Sequence, residues 1–429
     1  MSGWKKNSSL QVMQRHGPCW QQKHDKAEPN ESHPHIDILS EDEARVNSIH
    51  SMLPRRFSHE NMKQPDSANI PVRSGLPIRA GGYIVSISLG SPETEWSFIF
   101  DTGSDFTWTR CKPYLVESHY DQQEPIFDPS KSTTYSHIKC PSSMCAWILS
   151  TGKYQECANY TKTCIYKLKY AEASFSGGFL SKERLTTAAG GTFDNFLFGC
   201  SPNKGGNTLG GAAGILGLSR HPISFVQQTT NTYNKVFSYC LPSTPSSMGH
   251  LTFGSNDVPN NVQYTPITTI PNLTSFYGIN VIGITVGGAE LSSVTSTLSS
   301  AKAIIDVGTT ITRLPQSVYA ALRSEFQKKM AIYPMACELV MLDTCYDLSG
   351  YETVMIPEIN LVFGGGVKLN LDASGIVYAA SEKQVCLAFA PNTNDEDVVI
   401  LGNVQQKTIE VVYDLNVERL GFGPPGGCI

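Results

Sequence analysis

The chain has 429 residues, of which 40% are hydrophobic and 17% are charged, and its formal net charge is −5 at pH 7. This length is enough for two or three domains with a buried core. The slightly acidic balance provides no basic face for nucleic acid, and no run approaches the ~20 apolar residues of a membrane span. The 36 glycines and 25 prolines favour a turn-rich, strand-rich protein over a helical bundle.

The first segment, residues 1 to about 75, is polar and lacks the alternation expected of a strand. One short helix is predicted at "SEDEARVNSIHSML", with Ser40 as its N-cap and Glu43 three residues later. We interpret residues 1–75 as a prosegment; the alternative is a polar extension without a role. The first residues include two lysines but no apolar h-region, so no signal peptide is visible in this chain.

The pattern changes from "GGYIVSISLGSP" onward, where Tyr83, Val85, Ile87 and Leu89 alternate with small or polar residues. This alternation predicts a half-buried strand, and similar short runs recur to the end of the chain. Convincing helices are few, the two best being "HPISFVQQTTNTY" and "SVYAALRSEFQKKM". Many strands and few helices indicate an all-β protein of barrels or folded sheets.

Two carboxylates occur in matching surroundings, in "FIFDTGSDFTW" around Asp101 and in "AIIDVGTTITRLP" around Asp306. The two acids are 205 positions apart (306 minus 101), and an Ile-Leu-Gly triplet follows each of them downstream, in "AAGILGLSR" and "VVILGNVQQ". Two shared landmarks in the same order indicate an internal duplication. We therefore predict an N-terminal lobe over residues 76–262 and a C-terminal lobe over residues 263–429.

The Asp-X-Gly-Ser/Thr pattern suits a carboxylate held in a tight turn. Gly103 and Gly308 allow the turn, and the hydroxyls of Ser104 and Thr309 can donate to the outer oxygen of each acid. Two such acids facing each other share one proton, because like charges at close range cannot both ionise. The charged acid can then deprotonate water while the neutral one polarises a carbonyl group. A glycosidase would also use two carboxylates, but it has no need of duplicated turns.

Several motifs resemble the pepsin-like aspartic peptidases of family A1, within the plant secreted group that includes the nepenthesins. They include "FDTGSDFTWTRCKPY", "GILGLSR", "DTCYDLSG" and "ILGNVQQKTIEVVYD". The resemblance implies a bilobal fold with two β-barrel-like lobes and a central cleft, and an acid-active endopeptidase made as a zymogen. It assigns catalysis to Asp101 and Asp306, and support of this dyad to Thr102 and the turn residues. It also implies that Tyr170 is the flap tyrosine and that Trp108 is its hydrogen-bond partner. It also implies protein or peptide substrates, a monomer, an extracellular or apoplastic location, no metal and no other cofactor.

Two departures from the family pattern bear on activity. Val307 lies where the family has Ser or Thr, so one hydroxyl of the pair that braces the dyad is missing. The flap turn reads "YAEAS" from position 170, with alanines where the family has glycines. We expect reduced but retained activity. The alternative is a catalytically weak or inert homologue that acts as a binding protein for other secreted proteins.

The chain has 12 cysteines, at positions 19, 111, 140, 145, 157, 164, 200, 240, 337, 345, 386 and 428. The cluster from Cys140 to Cys164 lacks paired C-x-x-C spacing and histidines, which favours disulfides over zinc. The resemblance implies the pairs Cys140–Cys164, Cys145–Cys157, Cys345–Cys386 and Cys200–Cys428, and it gives no partner for Cys19, Cys111, Cys240 or Cys337. Among four N-x-S/T triplets, Asn159 and Asn272 are the predicted glycosylation sites.

Overall fold

Alternating apolar residues produce half-buried strands along most of the chain. The structure, a computed structural model, describes residues 34–52, 68–74, 76, 82–112, 125–150, 157–158, 161–169, 175–187, 190–205, 209, 211–255 and 258–426. The predicted all-β, bilobal architecture is confirmed. Within the described residues, no helix is long and apolar enough to cross a membrane.

The predicted strand at Tyr83 is present, with its four apolar residues buried on one face. The strands of the first half are β1 (Ala68–Ser74), β2 (Tyr83–Leu89), β3 (Thr94–Asp101), β4 (Trp108–Arg110), β5 (Ser136–His137), β6 (Ile165–Lys169), β7 (Phe175–Thr187), β8 (Thr192–Gly205), β9 (Gly214–Gly217), β10 (Val236–Cys240) and β11 (Gly249–Phe253).

The second half continues with shorter strands in three smaller sheets and at one end of the largest sheet. They are β12 (Gln263–Pro266), β13 (Tyr277–Ile279), β14 (Val281–Val286), β15 (Ala289–Glu290), β16 (Ala303–Ile305), β17 (Thr312–Leu314), β18 (Met335–Ala336), β19 (Cys345–Tyr346), β20 (Ile359–Phe363), β21 (Lys368–Leu371), β22 (Val377–Ser381), β23 (Gln384–Leu387), β24 (Phe389–Pro391), β25 (Val399–Leu401), β26 (Ile409–Asp414) and β27 (Arg419–Pro425).

Helices are few, as predicted, and most are short. They are α1 (Pro34–Ser51), α2 (Ser143–Ser150), α3 (Phe225–Gln228), α4 (Thr230–Tyr233), α5 (Thr295–Ser300), α6 (Gln316–Lys329) and α7 (Ala373–Ile376). The helix predicted around Ser40 begins six residues earlier, so Ser40 lies inside α1 and is not its cap. Proline suits a first helical position because it needs no N–H there, and Asp37 in the first turn favours the positive end of the helix dipole.

The two halves build their aspartate strands in the same way. In the first half, β9 lies between β3, to which it is parallel, and β4, to which it is antiparallel. In the second half, β25 lies in the same way between β16 and β17. The Ile-Leu-Gly triplets form or end these middle strands, so the internal duplication is structural as well as sequential.

One sheet of fourteen strands joins the lobes. Strand β26, near the end of the chain, pairs with β10 of the first half, and β10 pairs with β11. Phe237 and Tyr413 stack across this junction with ring centroids 4.3 Å apart, and Tyr277 meets Tyr413 edge-on at 4.6 Å. This aromatic contact ties the two lobes together beneath the cleft.

The expectation that residues 1–75 lack strand alternation is wrong for the last part of this segment, Ala68–Ser74. Ala68, Ile70 and Val72 are buried alternately along β1. The strand pairs with β11 on one side and with β2 on the other, so it lies inside the large sheet. Three apolar residues at spacing two were too short a run to stand out in a polar segment.

Four disulfides are formed within the described residues with both partners placed. Cys345–Cys386 agrees with the expectation. The expected pairs Cys140–Cys164, Cys145–Cys157 and Cys200–Cys428 are wrong. The bonds formed instead are Cys140–Cys157, Cys145–Cys164 and Cys111–Cys200. Strand β4 is parallel to β8, which brings Cys111 beside Cys200 and leaves Cys200 unavailable to Cys428. Cys240 and Cys337 are disulfide-bonded as well, and Cys428 lies outside the described residues.

Candidate active site

Asp101 is the last residue of β3, where the strand gives way to a tight turn. The backbone N–H of Gly103 donates to Asp101 Oδ1 at 2.9 Å, and Ser104 Oγ donates to Asp101 Oδ2 at 2.5 Å. The carboxylate is 2% exposed, so these donors replace water that it would otherwise lose on burial. The local turn therefore allows an acid to end a buried strand.

Asp306 follows β16 and repeats this arrangement atom for atom. The N–H of Gly308 donates to Asp306 Oδ1 at 3.3 Å, and Thr309 Oγ1 donates to Asp306 Oδ2 at 2.6 Å. A Cβ atom at Gly103 would lie 2.7 Å from Asp306 Oδ1, and one at Gly308 would overlap Asp101 Oδ1. Each turn therefore approaches the carboxylate of the other lobe so closely that only glycine fits.

A hydrogen bond between the lobes holds the two turns together. Thr102 Oγ1 accepts the N–H of Val307 at 3.0 Å, which is half of a reciprocal brace. The Val307 side chain is 1% exposed and apolar, so it offers no acceptor in return. Asn403 Nδ2 donates to the Val307 carbonyl at 3.0 Å and supports the second turn from below.

Arg45 of α1 lies on both carboxylates. Its Nη1 and Nη2 atoms donate to Asp101 Oδ2 and Oδ1 at 2.9 and 2.8 Å, as a bidentate pair. Its Nε donates to Asp306 Oδ2 at 2.9 Å, and Nη2 also reaches Asp306 Oδ1 at 3.1 Å. One guanidinium nitrogen thus contacts both acids, which shows that Asp101 and Asp306 meet at a single place.

The two acids have different electrostatic surroundings. Burial raises the pKa of Asp101, but the Arg45 guanidinium and hydrogen bonds from Ser104 and Gly103 outweigh it, so its pKa lies below the ordinary value. Burial raises the pKa of Asp306. The charge of Asp101 adds to this rise, and the attraction of Arg45 offsets only part of it. An acid pair with one lowered and one raised pKa can hold a single proton between them.

Helix α1 is held on the C-terminal lobe by the carboxylate of Asp42, in addition to Arg45, and by apolar packing. Asp42 accepts hydrogen bonds from the N–H groups of Thr310 and Ile311 and from the buried side chain of Arg313. Val46 and Ile49 pack in an apolar cluster that includes residues of the second half such as Ile270, Leu273, Phe276, Ile304 and Ile400. The helix therefore occupies the cleft rather than lying on the surface.

The other residues predicted for the site have mixed outcomes. Trp108 is buried in the N-terminal lobe, whereas Tyr170 and Asn159 lie outside the described residues. Asn272 is half-buried at φ 75°, and its Oδ1 atom is buried without a hydrogen-bond partner. Sequence reasoning missed Arg45, Asp42 and Arg313. An arginine within the acidic helical stretch "SEDEAR" was the one available signal for the first of them.

Comparison with known proteins shows the family to which the chain belongs. Family models described as xylanase inhibitor N-terminal and C-terminal match residues 83–255 and 276–424. An aspartyl protease family protein of Arabidopsis thaliana is 48% identical over 420 residues, covering 98% of this chain and 87% of the relative. Aspartic proteinase nepenthesin-2 of Nepenthes gracilis is 32% identical over 403 residues, covering 91% and 89%.

Solved structures share the fold at low sequence identity. The basic 7S globulin from soybean aligns with a TM-score of 0.66 at 21% identity, covering 85% of this chain and 96% of that one. Conglutin gamma from lupine seeds aligns with a TM-score of 0.67 at 21% identity, covering 84% and 95%. With two matched family models and relatives that align over nearly its whole length, the chain belongs to the plant nepenthesin-like group of the pepsin-like aspartic protease family.

Proposed function

We propose that the chain is the latent form of an aspartic endopeptidase that hydrolyses peptide bonds at acidic pH. The observation that carries this proposal is the meeting of Asp101 and Asp306, from duplicated turns, on one guanidinium nitrogen. The relatives named aspartyl proteases support the same reaction.

The mechanism begins when α1 has left the cleft and water takes the position of the Arg45 guanidinium. The ionised member of the pair, favoured at Asp101 by its Ser104 and Gly103 donors, removes a proton from that water. The protonated member, favoured at Asp306, hydrogen-bonds to the substrate carbonyl and polarises it. Water attacks the carbonyl carbon, and a proton then passes to the leaving amine, so no covalent intermediate is needed.

Helix α1 accounts for latency in this proposal. A substrate carbonyl and the Arg45 guanidinium cannot occupy the same place between the acids, so the helix excludes substrate while it is bound. We propose an extracellular or apoplastic enzyme that acts on proteins or peptides as a monomer. The disulfides support the location, because such bonds persist in oxidising compartments.

The test is incubation of the activated chain with an unstructured protein at about pH 4, with and without pepstatin. We expect cleavage that pepstatin abolishes and that an Asp101→Asn variant lacks. No cleavage after verified removal of α1 would contradict the proposal.

A second candidate is a binding protein on the same scaffold. Val307 favours it, because the dyad lacks one hydroxyl of its brace, and the matched family models carry the description of an inhibitor. Both Asp-X-Gly turns are nevertheless complete in their hydrogen bonds, and we rank this candidate second for that reason. Pepstatin-sensitive cleavage in the experiment above would exclude it.

A further inference from the structure

The carboxyl group of Asp42 lies in a pocket of the C-terminal lobe that surrounds it with donors suited to an anion; burial raises its pKa, and Arg313 and two backbone amides oppose that rise. The N–H of Thr310 donates to Oδ1, and Oδ2 accepts from the N–H of Ile311 at 3.2 Å and from Arg313 Nη2 at 3.3 Å. Asp42 is 4% exposed and Arg313 is 1% exposed, so the ion pair is shielded from water. A buried carboxylate with two backbone amides and a guanidinium is a complete recognition site rather than a surface contact.

The acidic groups that neutralise the positive charge of Arg313 in this pocket come from α1. In the part of the chain that the structure describes, the ion pairs of Arg313 are with Asp42 and with Glu43 at 2.8 Å, both on α1. The Nε of Arg313 is buried without a hydrogen-bond partner, so the guanidinium keeps a donor available. When α1 leaves, Arg313 loses both acids, and a shielded charge without a counter-ion is unfavourable.

The pocket lies close to the catalytic pair. Asp42 and Arg45 are three residues apart on one helix, which places their side chains on the same face with Cβ atoms about 5–6 Å apart. An extended peptide advances about 3.3 Å per residue. A substrate that followed the path of α1 would therefore reach the pocket about two residues from the bond that the dyad cleaves.

We propose that Arg313, with the amides of Thr310 and Ile311, forms a subsite that binds an acidic side chain of the substrate, about two residues from the scissile bond. In the latent chain, Asp42 occupies this subsite as an internal mimic of that side chain. The cleavage preference rests on the proposed peptidase function, whereas the anion site itself does not.

The first experiment compares matched fluorogenic peptides cleaved by the activated chain at about pH 5, where free glutamate is largely ionised. Each peptide pair carries Glu or Gln at one position, two or three residues to either side of an apolar scissile pair. We expect kcat/KM to favour Glu over Gln by about tenfold at one position. An Arg313→Gln variant should bring that ratio close to one.

The matched control is Arg220→Gln, which removes a guanidinium whose acidic partner is Glu418, outside this pocket. It should retain the full Glu preference. A wild-type ratio near one at every position, or a preference that persists in Arg313→Gln, would overturn the proposal, and the wild-type ratio decides even if that variant fails to fold.

The second experiment measures binding without catalysis. A full-length chain with Asp42→Asn and Arg45→Gln, in which α1 is weakened, is titrated with a labelled peptide of residues 34–51. We expect the native peptide to bind about tenfold more tightly than its Asp42→Asn form, and Arg313→Gln in the protein to remove this difference. Equal binding of the two peptides would contradict the anion site. Unequal binding of the two α1 peptides, together with no cleavage of any fluorogenic peptide in the first experiment, would support the anion site and contradict the peptidase function instead.

Discussion

At position 307, a buried valine replaces one half of the hydroxyl brace between the lobes. Thr102 still accepts from the Val307 N–H, so the lobes keep one of two reciprocal hydrogen bonds. A valine has nearly the shape of threonine but lacks its hydroxyl, so packing is preserved while the hydrogen bond is lost. The net effect of one missing hydrogen bond at such a site is about 1 kcal/mol, enough to loosen the dyad without unfolding it.

Replacing Val307 with threonine should therefore restore the second half of the brace. We expect a kcat severalfold above that of the natural chain and a stability gain of about 1 kcal/mol. Steady-state kinetics and denaturant unfolding measure the two effects. Val307→Ala is the matched control, since it removes methyl groups and adds no hydroxyl, and it should lower stability without raising kcat. A kcat for Val307→Thr equal to that of the natural chain would show that the brace does not limit catalysis.

The hydroxyls of Ser104 and Thr309 allow the roles of the two acids to be separated. Burial raises the pKa of Asp101, and the hydrogen bond from Ser104 opposes this effect. Ser104→Ala should raise the pKa of the ionised acid and move the acidic limb of the kcat/KM profile upward by about one pH unit. Thr309→Ala should instead raise the pKa of the protonated acid and move the alkaline limb upward.

A full pH profile of both variants measures these shifts. A uniform loss of rate with both limbs unchanged would mean that the hydroxyls only support the fold. A shift of the alkaline limb in Ser104→Ala would reverse the assignment of base and acid.

At the scale of the element, α1, the proposed plug of the cleft, is held by three kinds of contact. Arg45 pairs with the dyad, Asp42 enters the pocket of Arg313, and an apolar face including Val46 and Ile49 packs on the C-terminal lobe. The apolar contacts change little with pH, whereas the ionic ones titrate. Acidification can thus weaken the plug without any change in the packing beneath it.

The direction of this pH effect follows from Arg45. Its charge helps to bring the pKa of Asp101 below the ordinary value and opposes the rise that burial causes in the pKa of Asp306, so this attraction makes the bound form hold fewer protons than it otherwise would. The stabilisation of the bound helix by Arg45 is complete above the released-state pKa of the acids and is lost as the pH falls through the lowered pKa of Asp101. The contribution of Arg45 therefore favours release on acidification, whereas that of Asp42, whose pKa is raised by burial in the bound helix, opposes it.

Arg45→Gln should weaken latency and reduce its dependence on pH. We expect the variant to show initial rates at about pH 5 roughly tenfold above those of the natural chain, without the lag that release of α1 imposes. Rates recorded after pH jumps from about 7 to successively lower values measure both features. Arg73→Gln, at an exposed position of β1 in the same N-terminal segment, is the control and should behave as the natural chain does. An unchanged lag in Arg45→Gln would remove Arg45 from the release step.

At the scale of the whole molecule, local and distant features differed in how well the sequence predicted them. The turns at Asp101 and Asp306 were predictable because carboxylate, glycine and hydroxyl lie within four residues. The target of Arg45 was not, since 261 positions separate it from Asp306 and no local pattern encodes that contact. The disulfide between Cys111 and Cys200 depends likewise on the pairing of β4 with β8, which only the folded sheet shows.

The place of β1 in the large sheet determines where processing can occur without damage to the fold. Removing residues up to 75 would extract a strand that pairs with β11 on one side and β2 on the other, and would leave two unpaired strand edges in the interior of the sheet. A cut after the end of α1 at Ser51 and before Ala68 would free the plug and keep the strand. We therefore predict that the activated chain begins between these two residues.

Mass spectrometry and N-terminal sequencing of the chain activated at about pH 4 identify the new terminus. An engineered specific protease site inserted after position 75 should give a product that loses β1 and has lower stability than one cut before Ala68, because the sheet loses the pairing and the buried side chains of Ile70 and Val72. An activated enzyme that begins near residue 76 with undiminished stability would show that β1 belongs to the removable segment and that another strand takes its place.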